Sequence, residues 1–135
     1  TYIPTLAAVD VISQYRGWEK GVSPEPANVT NKKKSFKAAI ASGVTIGMGG
    51  DVGVFPHGEN VLEMELMVEY GMKPFDVLKA ATSVNSRAFH MENQVGFIKE
   101  GLKADLVITT GDPSKNISDL RKVNFVMKDG VVYKN

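Results

Sequence analysis

A short apolar run at residues 44–48 is the strongest indication of fold class, and a Gly-Gly-Asp turn follows it at 49–51. Strands that read as nearly continuous apolar runs are buried on both faces, as in parallel sheets covered by helices. A helix-like segment, residues 31–42, precedes the run and ends at Gly43. This alternation predicts an α/β fold in which the strand at 44–48 is buried and lies parallel to its neighbours.

Apolar residues at helical spacing predict further helices in the first two thirds of the chain. Together with 31–42, these cover residues 7–18, 59–70, 74–81 and 85–90. Gly71 is expected to end the helix at 59–70, Pro74 suits the first turn of the next helix, and Ser83 is the predicted cap of the last one. The lysines of the helix at 31–42 are expected to face water: Lys32, Lys33, Lys34 and Lys37.

The pattern changes after Met91, where short strand-like segments replace the helices. Asp129 and Gly130 separate the last two of these segments, and an Asp-Gly pair between apolar runs is a strong hairpin signal because both turn positions need positive φ. We therefore divide the chain into residues 1–90, a β/α part, and residues 91–135, a part built of β-hairpins. The predicted strands are 94–98, 104–109, 124–127 and 131–133.

Composition excludes several classes of function. Lys and Arg number 16 against 15 Asp and Glu, so nothing in the charge favours binding to nucleic acid or to an anionic membrane. There is no cysteine, which rules out a disulfide framework and a thiolate metal site. No apolar run approaches the roughly 18 residues of a membrane span. We expect a cytoplasmic protein with no nucleic-acid or membrane partner.

Asp51 is the residue best suited to chemistry. A carboxylate at the C-terminal end of a parallel strand would lie at the mouth of an α/β barrel, where active sites are assembled. Its glycine neighbours allow backbone and substrate to approach closely. A carboxylate can bind zinc, and it can take a proton from the water that the ion activates. The alternative, that Asp51 only caps the turn that follows it, fits the sequence equally well.

Several motifs, in order along nearly the whole chain, resemble the amidohydrolase superfamily. The segment from Gly43 to Asn60 looks like its final barrel strand and the loop after it, although Gly50 stands where the family usually has Ser or Thr. Residues 96–107 resemble the family element G-x-I-x-x-G-x-x-A-D-L-V, and residues 80–82 its Ala-Ala-Thr helix. Within the superfamily, the resemblance is to Xaa-Pro dipeptidase-like and imidazolonepropionase-related enzymes.

This resemblance implies the last βα units of a (β/α)8 barrel, followed by C-terminal strands of a small β-sandwich. It implies a metal-dependent hydrolase that cleaves C–N bonds in amides, peptides or cyclic amides with metal-activated water. Asp51 would be a metal ligand and the catalytic base, and His57 and Asn60 would contact a small-molecule or dipeptide-like substrate. The implied cofactor is zinc or another divalent metal.

The family's other metal ligands have no counterpart here, since His57 and His90 are the only two histidines. The chain also begins without Met, inside a strand-like segment. We therefore expect a fragment of a larger enzyme, incomplete and without an intact metal site when isolated. Its expected partners are the missing N-terminal portion or copies of itself. The alternative is a catalytically inert α/β module used for self-association or as a scaffold.

Overall fold

A computed structural model describes all of residues 1–135, and it shows two compact units, Thr1–Met72 and Lys73–Asn135. The predicted division at residue 90 separates the β/α part from the β-hairpin part of a larger fold. It stays a prediction. The first unit contains helices α1 (Leu6–Tyr15), α2 (Ala27–Ala41) and α3 (Val61–Glu69). The second contains α4 (Pro74–Lys79), a π-helical turn (Ala80–Val84), α5 (Asn85–Ala88), β1 (Leu106–Thr109), a 3₁₀ helix (Ile117–Arg121), β2 (Val123–Lys128) and β3 (Val131–Lys134).

The apolar run at 44–48 contributes one parallel bridge, between Tyr2 and Ile46, rather than a strand. The N–H of Tyr2 donates to the carbonyl of Thr45 at 2.8 Å, and the N–H of Gly47 donates to the carbonyl of Tyr2 at 2.9 Å. Ile46 is buried but Val44 is exposed. The prediction of a strand buried on both faces is wrong for this chain, because a strand needs hydrogen-bonded neighbours and only Tyr2 provides one.

The core of the first unit lies where α1 packs against α2 and α3. Its largest fully buried apolar side chains are Phe36 from α2, Leu6 from α1, and Leu66 and Met67 from α3. Leu66 and Met67 follow residues 62 and 63 by one helical turn and therefore lie on the same face of α3. This arrangement confirms the helical spacing predicted for α3. The predicted helices at 7–18 and 59–70 therefore match α1 and α3, with ends shifted by a few residues.

Helix α2 begins four residues earlier than predicted, at Ala27. Pro26 precedes it with φ −65° and ψ 152°, an extended conformation from which the first helical turn can start. The expectation that all four lysines face water is partly wrong. Lys34 and Lys37 are exposed, but Lys32 and Lys33 are half-buried. Nζ of Lys33 lies 3.4 Å from Glu25 and 4.9 Å from the centre of the Tyr70 ring.

The helix stops predicted around residue 71 are confirmed. Gly71 follows α3 with φ 113°, a conformation that favours glycine, and α4 begins at Pro74. The predicted Ser83 cap is wrong, because α4 continues through the π-helical turn directly into α5, and Ser83 lies inside that turn. Its carbonyl accepts a hydrogen bond from the hydroxyl of Ser86 at 3.0 Å.

The three strands of the second unit form an antiparallel sheet in the order β1-β2-β3. Asp129 and Gly130 join β2 to β3 with φ 50° and 79°, which confirms the predicted hairpin turn. The strand predicted at 94–98 is absent. Gly96 has φ 95°, outside the β region, and the N–H groups of Gln94 and Val95 both donate back to the carbonyl of Met91 in a turn.

The architecture is mixed α/β with a three-stranded antiparallel sheet, which agrees with the predicted class at that level. The barrel and sandwich assignments go beyond what these two units contain. None of the helices has the length and apolar character needed to span a bilayer.

Candidate functional site

Asp51 lies in a tight, glycine-rich turn five residues after the bridge residue Ile46. Its φ is 60°, a left-handed conformation that Asp tolerates better than most residues. Asp51 is exposed, and its backbone carbonyl accepts the N–H of Val54 at 3.4 Å. The bond that closes the turn therefore uses the backbone of Asp51, and the carboxylate lies at the surface.

The two glycines before Asp51 pack against neighbouring segments. A Cβ at Gly49 would lie 2.7 Å from Cγ2 of Ile3, which is too close for any other residue without movement. A Cβ at Gly50 would lie 3.0 Å from the Phe55 ring and 3.5 Å from Cβ of Glu63. The turn that presents Asp51 is thus held between the start of the chain and the residues that lead into α3.

His57 and Asn60 are both exposed, in the loop between Phe55 and helix α3. Phe55 itself is buried, and its carbonyl accepts the N–H of Gly53 at 3.1 Å, so the loop folds back on the Asp51 turn. The structure places Asp51, His57 and Asn60 on one connected loop. It does not gather them into a metal site, since no three His, Cys, Asp or Glu side chains are grouped to hold a metal ion.

Glu63 is the most unusual polar residue of this region, because it is completely buried. Its Oε1 accepts the N–H of Leu6 at 3.0 Å, and its Oε2 accepts the N–H of Ala7 at 2.7 Å. These are the first N–H groups of α1, which have no partners within the helix. Thr5, at the cap position, makes no side-chain capping bond and has φ 47°. Glu63 from α3 therefore replaces the missing cap of α1.

Burial raises the pKa of the Glu63 carboxyl to about 7, and this effect exceeds the opposing effects of the Ala7 and Leu6 N–H groups and of Lys32. Removal of a charged group from water favours its neutral form, whereas hydrogen bonds to the anion favour the charged form. The partial positive charge at the start of α1 acts in the same direction as those hydrogen bonds. Glu63 is thus a costly group kept in place by the two amides that it binds.

The sequence analysis did not identify Glu63 as a functional residue. A signal was present, because Glu63 shares the spacing of the buried stripe of α3, residues 63, 66, 67 and 70. An acidic residue on an apolar stripe must be paired or functional, since an unpaired buried charge is costly. Its partners are backbone amides, which no residue pattern reveals.

Comparison with known proteins identifies the family of this chain. A sequence model described as the Amidohydrolase family matches residues 25–134. The chain belongs to the amidohydrolase family. This assignment confirms the resemblance inferred from the motifs. No curated protein sequence gives a significant match.

Several solved structures are similar to this chain. One is a Xaa-Pro dipeptidase with methionine bound in its active site; the match has 32% identity and a TM-score of 0.84, and covers 99% of this chain and 34% of that one. Another is the A. niger ochratoxinase, with 27% identity, a TM-score of 0.77, and coverage of 99% and 32%. A prolidase complexed with N-methylphosphonate-L-proline shares the fold, with 24% identity, a TM-score of 0.74, and coverage of 98% and 34%.

The amidohydrolase chain therefore spans about a third of the length of the structures that it matches. These comparisons show the family and the fold of the chain, and they do not favour the alternative of an inert scaffold module.

A divalent metal ion is the cofactor that the family implies, and the donor set of this chain can be tested against it. A catalytic zinc site needs at least three protein ligands. This amidohydrolase chain offers the exposed Asp51 carboxylate and the exposed His57 imidazole in one loop, with no grouped third ligand. The residues present do not by themselves fit such an ion, and any metal at Asp51 would need ligands from outside these 135 residues.

Proposed function

We propose that the protein carrying this chain is a hydrolase of C–N bonds in amides, peptides or cyclic amides, and that Asp51 is its proton-transferring carboxylate. The position of Asp51 supports this role, because the residue is exposed on a tightly packed glycine turn that follows a parallel bridge. In a barrel, that position lies at the end of a strand where active sites form. Here the chain would contribute the last βα units of such a barrel, followed by strands of a sandwich.

The reaction adds the oxygen of water to the carbonyl carbon and breaks the C–N bond, while one proton of the water goes to the leaving nitrogen. Asp51 would take that proton from the water and deliver it to the nitrogen. Zinc or another divalent metal belongs to this proposal only together with ligands from elsewhere in the protein, so no step of the reaction is assigned to it.

The proposed substrates are small molecules, with dipeptide-like compounds first. The Xaa-Pro dipeptidase with bound methionine supports this choice, because its match to this chain covers 99% of the residues. His57 and Asn60 are proposed substrate contacts, since both are exposed in the loop that carries Asp51. We further propose a cytoplasmic protein in which the N-terminal portion completes the barrel. Copies of the protein would also associate into a homo-oligomer.

Substitution of Asp51 by Asn tests the central role. Asn also tolerates a φ of 60°, so the turn should keep its shape while the carboxylate is lost. Turnover should be measured on a panel of Xaa-Pro dipeptides, N-acyl amino acids and cyclic amides. We expect a loss in kcat of at least about 100-fold, which is typical of a lost general base.

The matched control is Asp76→Asn, which removes a half-buried carboxylate that pairs with Lys79 in the second unit. It should leave kcat nearly unchanged, and circular dichroism should show that both variants keep the wild-type fold. Near-normal turnover in Asp51→Asn would refute the assigned role.

A further inference from the structure

Two strained or tightly packed segments lie next to Glu63. The first is the start of α1, where Thr5 has φ 47°. This is a genuine outlier for a β-branched residue and persists only when its surroundings enforce it. The N–H groups of Leu6 and Ala7 are directed at the Glu63 carboxylate, and both residues are buried, so no water can replace that acceptor.

The second is the turn that carries Asp51. A Cβ built at Gly50 would lie 3.5 Å from Cβ of Glu63, so the stem of this side chain bounds the space beside the backbone just before Asp51. Phe55 is buried against the same position, 3.0 Å away. Gly49 lies against Ile3, two residues before the strained Thr5. The two segments therefore touch each other directly and share Glu63 as a common support.

We propose that Glu63 is a positioning residue for Asp51: its carboxylate holds the start of α1 while its stem supports the Gly49–Gly50–Asp51 turn. This inference rests on the proposed function of Asp51. Asp51 itself has φ 60° and is exposed, so its own side chain does not anchor the turn in the core. A catalytic carboxylate must be held within a fraction of an ångström, and buried supporting groups provide that precision.

The alternative is that Glu63 is only a substitute cap for α1. In that case its loss loosens residues 6 and 7 and leaves the Asp51 turn as it was. The two readings differ in whether a change at Glu63 reaches residues 49–52, of which Gly50 lies beside the stem of Glu63.

Hydrogen–deuterium exchange of Glu63→Gln in the natural protein that carries this chain separates these readings. Gln keeps the size of the side chain but offers one acceptor oxygen for two amides. We expect exchange at least about tenfold faster in peptides covering residues 1–10 and also in those covering 47–56. Exchange in α2 should remain unchanged. The control is Glu69→Gln, on the same helix, where the carboxylate is exposed and pairs with Lys20 at 2.9 Å.

Faster exchange in residues 1–10 alone, or an equal increase throughout α2, would overturn the proposal. Where Glu63→Gln does not fold, Glu63→Met carries the same test, because it keeps the length of the side chain and has no charge to desolvate.

Kinetics provide a second readout that a purely structural role would not change. On the best substrate of the panel above, Glu63→Gln should lower kcat by at least about tenfold while KM changes by less than about threefold. An unchanged kcat in folded Glu63→Gln would overturn the proposal. Asp51→Asn is measured in parallel: if it retains normal turnover, the proposed function fails, while the exchange experiment still decides whether Glu63 supports the Asp51 turn.

Discussion

The buried Glu63 carboxyl should make the stability of the first unit fall as pH rises through the neutral range. The perturbation is Glu63→Gln, which removes the titrating group and nearly preserves its shape. The pKa of this carboxyl is raised from 4.5 to about 7 in the folded chain, chiefly by burial. The nearby charged and titratable groups are Lys32 on α2, which lowers the pKa of Glu63, and the hydroxyls of Tyr2 and Tyr70, whose own pKa values are raised chiefly by burial and in part by Glu63.

The sign follows from proton binding. Between pH 4.5 and about 7 the folded chain holds a proton on Glu63 that the unfolded chain has lost. The free energy of unfolding therefore decreases as pH rises across this window. Above the window, the full cost of the buried Glu63 charge is present. Each pKa unit corresponds to about 1.4 kcal/mol, so the free energy of unfolding should lose about 3 kcal/mol relative to Glu63→Gln. Because Glu63 is fully buried, solvent screening does not reduce this figure.

Urea unfolding of the chain between pH 4.5 and 8 measures this difference. Trp18 is the single tryptophan and is buried in the first unit, so its fluorescence reports on that unit. Carboxyls with lowered pKa values, such as Glu25, contribute stability that is lost only as pH falls below this window. Glu69→Gln should parallel the wild type. A wild-type minus Glu63→Gln difference that stays flat, or increases with pH, would refute the reasoning.

Two further predictions concern packing. Phe36→Ala, in the centre of the first unit, should cost about 3–5 kcal/mol in the free energy of unfolding, measured by urea denaturation with Trp18 fluorescence, and a cost below about 1 kcal/mol would contradict the central position of this ring. Gly96→Ala should destabilise the second unit more than Gly101→Ala, measured by thermal unfolding. Both glycines have positive φ, but a Cβ at Gly96 would overlap Ser86, whereas Gly101 has open space around it. Equal effects of the two substitutions would show that backbone strain alone matters there.

Local signals predicted the elements whose geometry depends on neighbouring residues in the chain. Gly71 and Pro74 mark a helix end and a helix start because their backbone preferences are intrinsic. The Asp129-Gly130 turn formed as predicted for the same reason. The ordered motifs from Gly43 to Val107 were enough to indicate the family that the comparisons show.

Other elements depended on partners that no local pattern contains. The apolar run at 44–48 has the composition of a strand, yet a strand exists only when neighbours supply hydrogen bonds, and this chain supplies Tyr2 alone. Ser83 looked like a cap, but α4 and α5 are joined through it.

The same distinction separates the two carboxylates of the candidate site. The glycine context of Asp51 could be read from the sequence, because close backbone approach requires glycine. The role of Glu63 could not, because its partners are the backbone amides of Leu6 and Ala7, more than fifty residues away in the chain. Every non-proline residue has such an amide, so only the folded chain determines which of them meet a buried carboxylate.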